Sequence, residues 1–321
     1  MNAKRILFMG TPDFAVGSLN ALVEAGFDVA AVVTAPDKPA GRGRELRTSA
    51  VKQRALELGL PVLQPERLRD PAFLEELDRM GASLYVVVAF RMLPEAVWAK
   101  PPLGTINLHA SLLPQYRGAA PINWAIINGE STTGVTTFFI RHEIDTGDII
   151  DHEEVVIGRD DNAGVVHDRL MNTGAALLAR TVGSVLDGKA QRIEQTLRPG
   201  EGNTTLHHAP KLNPENCRID WTRSAQQVHD HVRGLSPYPC AWTQLISGTR
   251  GPLNFKLYSA RPAEVGSFAA PGTVQEQGDR LLVACGSGSL ELLEVQPEGR
   301  RRMTGAEFLR GARALGDFHL Q

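Results

Sequence analysis

The sequence predicts an α/β protein that consists of a domain built on a parallel sheet, a linker and a small OB-like β-barrel. In the first half, apolar strands alternate with amphipathic helices at the spacing of βαβ units, which form parallel sheets. In the second half, short strands follow one another with turn residues between them, which is typical of a small barrel. With 321 residues, the chain also exceeds the usual size of a single core.

The first domain is expected to span residues 1–199 and to begin with a buried strand, KRILFMG. Its further elements are strands over 28–34, 61–63, 83–90, 105–110, 133–140 and 149–157, and helices over about 14–25, 49–58, 71–80, 121–127 and 163–186. The turn after the first strand contains neither GxGxxG nor GK[ST], so the dinucleotide and P-loop fingerprints are both missing there.

Residues 200–214 are polar and rich in Gly, Pro and Asn, as expected of a linker. The second domain, 215–321, is expected to hold helices over 225–234 and about 304–314 and strands over 241–246, 253–260, 272–275, 281–285 and 290–295. Five short strands fit an OB-like barrel, and such barrels often bind oligonucleotides. The run Arg300–Arg302 makes this half the more basic one.

Composition is that of a globular protein, with 42% hydrophobic and 22% charged residues and no apolar run long enough to span a bilayer. The apolar segment near the N-terminus is too short for a signal peptide, so a cytoplasmic location is expected. A net charge of -2 argues against a protein that coats nucleic acid generally but allows a local basic patch.

Metal and disulfide sites are not predicted. Cys217, Cys240 and Cys285 are far apart and form no CxxC pair, so we interpret them as buried thiols. His207 and His208 form an adjacent pair without a spaced partner, and we expect both to be exposed to solvent.

Asn107 and His109 lie two residues apart on a predicted strand and therefore project from the same face. The strand feeds a helix, and open α/β sheets place ligands at such carboxyl ends. An amide beside an imidazole can stabilise an oxyanion and move a proton. The pair is equally compatible with a satisfied histidine at a strand end and an asparagine that caps a turn.

A polar loop over 143–148 contains Asp145 and Asp148. These residues either shape a turn or supply a carboxylate that reaches His109 and sets its protonation.

The loop over 35–47 contains Lys38, Arg42 and Arg44. It is either solvated surface or an arm that binds a polyanion such as RNA.

Three motifs together resemble the methionyl-tRNA formyltransferases, and the similarity runs along essentially the whole chain. They are Asn-x-His followed by Ser-Leu-Leu-Pro at 107–114, the YRGAAP segment at 116–121 and Asp-Thr-Gly-Asp at 145–148. The resemblance implies a Rossmann-like formyltransferase domain before an OB-like domain that helps to hold tRNA. It also implies transfer of the formyl group of 10-formyltetrahydrofolate to the α-amine of methionyl initiator tRNA, a step of translation initiation.

By the same resemblance, Asn107, His109 and Asp145 would be catalytic, and no metal would be needed. The residues that would bind the folate are Phe90, Arg91, Met92, Leu93, Ser111, Leu112, Leu113 and Pro114. The residues that would contact tRNA are Lys38, Arg42, Arg44 and Lys211. The enzyme would act as a monomer, without a membrane.

Two departures from the family pattern stand out. Similar proteins usually read A-Y-G where this chain has Ala89-Phe90-Arg91, so a bulky side chain replaces a glycine beside the folate pocket. Similar linkers carry several lysines, whereas this one has Lys211 alone.

Rival functions share part of this pattern. A formyltransferase that acts on an amino sugar nucleotide would share the three catalytic residues, and so would a hydrolase that releases formate from the folate. The arginine-rich loop and the OB-like tail argue against the sugar enzyme. A non-catalytic RNA-binding module would have no need of the Asn, His and Asp set.

Overall fold

A computed structural model of the chain describes residues 4–40, 45–195, 205–247, 250–267, 269–311 and 318–321. Packing divides it into two compact units. The first comprises Met1–Gly118, Thr133–Val155 and His167–His207, and the second comprises Ala119–Thr132, Val156–Val166 and His208–Gln321. Two short segments of the N-terminal half thus pack with the C-terminal half. The domain limits at 199 and 214 stay a prediction.

The described helices and strands follow the predicted order closely. The helices are α1 (Phe14–Glu24), α2 (Ala50–Glu57), α3 (Pro71–Met80), α4 (Glu95–Trp98), α5 (Pro121–Ile127), α6 (Ala163–Leu186), α7 (Ala225–Leu235) and α8 (Gly305–Gly311). The strands of the first half are β1 (Arg5–Gly10), β2 (Asp28–Val33), β3 (Lys38–Ala40), β4 (Glu45–Arg47), β5 (Val62–Leu63), β6 (Leu84–Val88), β7 (Thr105–His109), β8 (Arg117–Gly118), β9 (Thr132–Phe139) and β10 (Ile149–Val156). Those of the second half are β11 (His208–Ala209), β12 (Ala241–Ser247), β13 (Arg250–Ala263), β14 (Val274–Gln277), β15 (Arg280–Ala284), β16 (Ser289–Pro297), β17 (Met303–Thr304) and β18 (His319–Leu320).

Local signals explain where several helices begin and end. The Ser49 hydroxyl accepts a hydrogen bond from the Lys52 amide and caps α2. Ser224 and Gln227 form a capping box at the start of α7. Gly81 ends α3 in the left-handed region at φ 60°, where a side chain would cost energy.

The first unit is organised around a seven-stranded sheet in the order β10-β9-β7-β6-β1-β2-β5. Neighbouring strands from β5 to β7 run parallel, which confirms the predicted parallel sheet. Strand β9 runs antiparallel to β7. The sequence did not predict this reversal, because an apolar run looks the same in either direction.

Strands β1 and β6 in the middle of this sheet are buried over almost their whole length, as their apolar sequences predict. Every residue of β6 is buried, and so are the five residues of β1 after Arg5. Leu7, Met9 and Val87 of these strands pack in one cluster with Phe73 and Leu77 of α3. This packing holds β1 and β6 against α3.

The second unit contains an antiparallel sheet in the order β14-β15-β16-β13-β12-β18. The Leu320 amide donates to the Gly272 carbonyl at 2.9 Å, and an isolated bridge joins Thr273 to His319. The sheet therefore closes on itself, and all five predicted strands are present. Its assignment to the oligonucleotide-binding class stays a prediction.

The three cysteines are free and buried, which confirms their interpretation as buried thiols. Burial raises the pKa of Cys240 to about 11 and that of Cys285 to about 12. Their thiols therefore stay protonated and unreactive near neutral pH.

None of the described helices is both long enough and apolar enough to cross a membrane.

Candidate active site

Strand β7 positions the predicted asparagine and histidine at the carboxyl edge of the sheet. Ile106 and Leu108 are buried and alternate with Asn107 and His109 along the strand. Parallel pairing with β6 places Asn107 beside Val87, and antiparallel pairing with β9 places it beside Phe138. The two polar side chains are thus held by a strand that is hydrogen-bonded on both sides.

His109 is 93% buried, and both of its ring nitrogens face protein oxygens. Its Nε2 lies 2.9 Å from the Tyr116 carbonyl, and its Nδ1 lies 3.8 Å from Oδ2 of Asp145. Because a carbonyl can only accept, the neutral ring donates from Nε2 and leaves a lone pair on Nδ1. A proton taken up at Nδ1 would then face a carboxylate.

Asp145 and Asp148 have different environments. Oδ2 of Asp145 accepts a hydrogen bond from the Gly118 amide at 3.0 Å, and this residue has a φ of 54°. Asp148 is buried and accepts from Arg141 at 2.7 Å. Asp145 therefore lies beside His109, whereas Asp148 forms an ion pair with Arg141.

The Oδ1 atom of Asn107 is buried, and the part of the chain that the structure describes offers it no hydrogen-bond partner. Leaving a buried acceptor unpaired costs about 1–3 kcal/mol. Such an atom is expected where a ligand supplies the missing donor. The turn-cap interpretation of Asn107 receives no support from this environment.

Gly147 lets the Asp145 loop pass close to β9. A Cβ atom at this position would lie 1.6 Å from the Phe139 carbonyl oxygen, which belongs to the backbone and cannot rotate away. Only glycine fits there without movement of the main chain.

We therefore expect Gly147→Ala to displace the loop and lower kcat at least tenfold, because Asp145 would no longer face Nδ1 of His109. Steady-state kinetics would test this. Gly251→Ala is the matched control, since nothing lies within 4 Å of a Cβ at that position. Wild-type kcat in Gly147→Ala would show that the loop geometry is dispensable.

The predicted folate loop, Phe90–Leu93, follows β6. The Arg91 guanidinium donates to the Glu66 carbonyl at 2.9 Å and to the Pro65 carbonyl, and it lies 5.6 Å from the centre of the Phe90 ring. Burial lowers the pKa of Arg91 below its usual value. Met92 is 75% exposed, whereas Leu93 packs partly against the core.

The second predicted folate segment, Ser111–Pro114, is fixed by hydrogen bonds within the unit. The Ser111 hydroxyl donates to the Gln115 carbonyl at 2.6 Å, and Thr136 contacts this segment twice. Ser111 and Leu113 are buried, whereas Leu112 and Pro114 are half-buried. Contact with a folate stays a prediction for all eight residues.

The predicted tRNA contacts fall only partly within the described residues. Lys38 and Lys211 are exposed, whereas Arg42 and Arg44 lie outside the described residues. Asp37, near the start of the arginine-rich loop, is held by side-chain hydrogen bonds. Its carboxylate accepts one from Lys52 and one, at 2.8 Å, from Gln64. The bond from Lys52 is the main reason that the pKa of Asp37 is lowered.

Two contacts at the site were not predicted from the sequence. The amide of Gln195 hydrogen-bonds the Asp145 loop and Arg117. The ring of His207 is exposed, as predicted, and it stacks on Tyr116 at 5.7 Å between ring centres. A single glutamine in a polar segment has no sequence signature, and neither does a stacked histidine.

No group of three or more potential metal ligands occurs in the ranges that the structure describes.

Two family models match the chain. The model described as "Formyl transferase" matches residues 4–182, and that described as "Formyl transferase, C-terminal domain" matches residues 211–313. Together they cover both halves of the chain.

Curated relatives are similar over nearly the full length. A methionyl-tRNA formyltransferase of Parabacteroides distasonis is 52% identical over 317 residues, which are 98% of this chain and 97% of the relative. One from Bacteroides thetaiotaomicron is 50% identical over 310 residues, which are 96% of each chain.

Solved structures share the fold. WlaRD, a sugar 3N-formyl transferase, superposes with a TM-score of 0.65 at 18% identity and covers 94% of this chain and 100% of that one. HypX from Aquifex aeolicus in complex with tetrahydrofolic acid has a TM-score of 0.61 at 18% identity and covers 95% of this chain and 46% of that one. At this identity the likeness concerns the fold alone.

Proposed function

The chain belongs to the methionyl-tRNA formyltransferases, and from that premise we propose that Asn107, His109 and Asp145 carry out its formyl transfer. Its activity is formylation of methionyl-tRNA, the initiator species of translation. The observation that carries the assignment of the site is the buried His109, whose Nδ1 faces the Asp145 carboxylate at 3.8 Å. The rival functions lose their support, because identity near 50% over the full chain is to tRNA enzymes.

Formyl transfer between two nitrogens needs a neutral amine, a stabilised oxyanion and a path for one proton. An aminoacyl α-amine has a pKa of about 8 or below, so about a tenth of it or more is neutral near pH 7. As the amine nitrogen bonds to the formyl carbon, negative charge develops on the formyl oxygen. The carbon–nitrogen bond to the folate then breaks, and the folate nitrogen takes a proton.

In our proposal, the Asn107 side-chain amide donates to the formyl oxygen as it becomes negative. The unpaired Oδ1 of Asn107 accepts an N–H of the attacking amine. Nδ1 of His109 takes the amine proton, because Nε2 is already bonded to the Tyr116 carbonyl. Asp145 stabilises the imidazolium that results, and the proton passes on to the folate nitrogen.

A folate that carries the formyl group is the donor in this family, and we propose 10-formyltetrahydrofolate as the donor here. We place it between the loop of Phe90–Leu93 and the segment Ser111–Pro114, which lead from the carboxyl ends of β6 and β7. No metal ion is needed for this chemistry.

The activity is tested by incubating the protein with 10-formyltetrahydrofolate and methionyl initiator tRNA. Parallel reactions contain uncharged tRNA, an amino sugar nucleotide or water alone. We expect formylmethionyl-tRNA as the product of the complete reaction only. A formylated sugar, or formate released without an acceptor, would overturn the assigned substrate.

We propose that tRNA is bound by Lys38, Arg42, Arg44 and Lys211 and by the closed barrel of the second unit. We expect Arg42→Ala to weaken tRNA binding and to lower the slope of log K against log[salt] by about 0.7–0.9 for one lost phosphate contact. Filter binding over a range of salt concentrations measures this slope. The control is Arg180→Ala, which removes an exposed arginine of α6 that pairs with Glu153.

An unchanged salt slope in Arg42→Ala would assign the loop over 35–47 to solvated surface instead.

We further propose that the enzyme acts as a monomer in the cytoplasm, where translation starts.

A further inference from the structure

The side chain of Gln195 connects two loops of the first unit. Its Nε2 donates to the carbonyl oxygens of Asp145 at 3.0 Å and Gly147 at 2.7 Å. Its Oε1 accepts from Arg117, at 3.2 Å from Nε and 2.6 Å from Nη2. Both the nitrogen and the oxygen of this half-buried side-chain amide are therefore hydrogen-bonded.

These bonds are part of a hydrogen-bond network around Asp145. The residue after Arg117 is Gly118, whose amide donates to Oδ2 of Asp145 at 3.0 Å. Asp145 is thus held at its main chain by Gln195 and at its side chain by Gly118. Since its φ of 54° is unfavourable for a residue with a side chain, such outside contacts are needed to hold it.

The segment that carries Gln195 is itself fastened to the sheet. The amide and carbonyl groups of Ile193 bond those of Ile149 in β10, each at 2.8 Å. The Arg192 guanidinium lies 3.9 Å from the centre of the Phe139 ring. Gln195 therefore reaches the loop from a segment that is bonded to the sheet, which suits a group that fixes another residue.

We propose that Gln195 is a positioning residue, which holds Asp145 against Nδ1 of His109 by clamping the Asp145 and Gly147 carbonyls to Arg117. This inference rests on the catalytic role proposed for Asp145. An amide is the neutral group that can donate to two carbonyls and accept from a guanidinium at once. Glutamate has the same shape and keeps the bond with Arg117, but it cannot donate to the loop near neutral pH.

Gln195→Glu is therefore the informative substitution. We expect it to lower kcat about 10–100-fold while KM for tRNA and folate stays within about twofold, since misplacing a catalytic group costs turnover. Gln195→Met, which has a similar length and no polar end, should behave alike. The matched control is Gln191→Glu, the same change at an exposed position on the same segment.

A double-mutant cycle with Asp145→Asn separates positioning from general stabilisation. If Gln195 acts through Asp145, then Gln195→Glu should cost less than about threefold in single-turnover rate when it is added to Asp145→Asn. Melting temperatures of all variants show whether the fold is intact. If either folded Gln195 variant kept the wild-type kcat, or if its effect were fully additive to that of Asp145→Asn, the positioning role would be wrong.

The catalytic role of Asp145 and the positioning role of Gln195 are overturned by different results. Wild-type turnover of Asp145→Asn would overturn the proposed catalytic role of Asp145 and the role of Gln195 together. A large loss in Asp145→Asn beside normal turnover in either folded Gln195 variant would overturn the positioning role alone.

Discussion

Replacing His109 by alanine is expected to lower kcat by about a hundredfold to ten-thousandfold, the range for loss of a general acid or base. The imidazole is 93% buried, and its Nδ1 is the basic atom that faces Asp145. Binding of tRNA should change little, because the residues proposed to bind it are elsewhere in the sequence. Single-turnover formylation and tRNA filter binding measure the two quantities separately.

The control for this variant is His152→Ala, which removes an exposed histidine from β10. It should retain the wild-type kcat. If His109→Ala folded normally and turned over within threefold of the wild type, His109 would be no more than a satisfied histidine at a strand end.

The second large effect is expected for Asn107. Asn107→Ala should lower kcat by about a hundredfold to a thousandfold, which is typical for loss of one preorganised oxyanion donor. Asn107→Asp should lose as much, because a carboxylate has the same shape but cannot donate and would repel the developing charge. Steady-state kinetics with both substrates, together with melting temperatures, would show whether kcat alone falls.

Asn20→Ala serves as the comparison for this pair. Oδ1 of Asn20 accepts from Nε of Arg54 at 2.7 Å, so the substitution removes an equally sized amide that is already paired within the protein. It should affect the melting temperature more than kcat. Equal losses of kcat in Asn20→Ala and Asn107→Ala would point to a general effect on folding.

Much of the architecture could be predicted from the sequence because it depends on local periodicity. Unbroken apolar runs identified β1 and β6, and the two-residue period of a strand was enough to place Asn107 and His109 on one face. Asp145 was harder. Its loop was recognisable as a turn, but its approach to His109 depends on the Gly118 amide, which lies 27 residues earlier in the chain.

Other features could not be predicted because their causes lie far apart in sequence. Gln195 lies 78 residues from Arg117, and it bonds main-chain carbonyls that every residue carries. The hairpin of β3 and β4 occupies a loop whose arginines and glycines gave no strand pattern. The direction of β9 is set by pairing with β7, which apolar content does not encode.

Arg91 illustrates a departure that the sequence revealed but did not explain. Similar proteins usually have a glycine at this position, and the sequence alone does not show where the arginine side chain lies. The structure answers that it bonds the carbonyls of Pro65 and Glu66 and lies over Phe90. Arg91 thereby ties the loop after β6 to the chain that follows β5.

Unlike the closed barrel, the seven-stranded sheet ends, among the described strands, in two outer strands, and the edge of a sheet can pair with a strand of a second chain. One outer strand, β5, is only two residues long. The other, β10, carries exposed charged side chains at Asp151 and Glu154, and its first residue is already bonded to Ile193. Short, charged and covered edges resist strand-to-strand association. The segment that carries Gln195 therefore also covers the start of this edge.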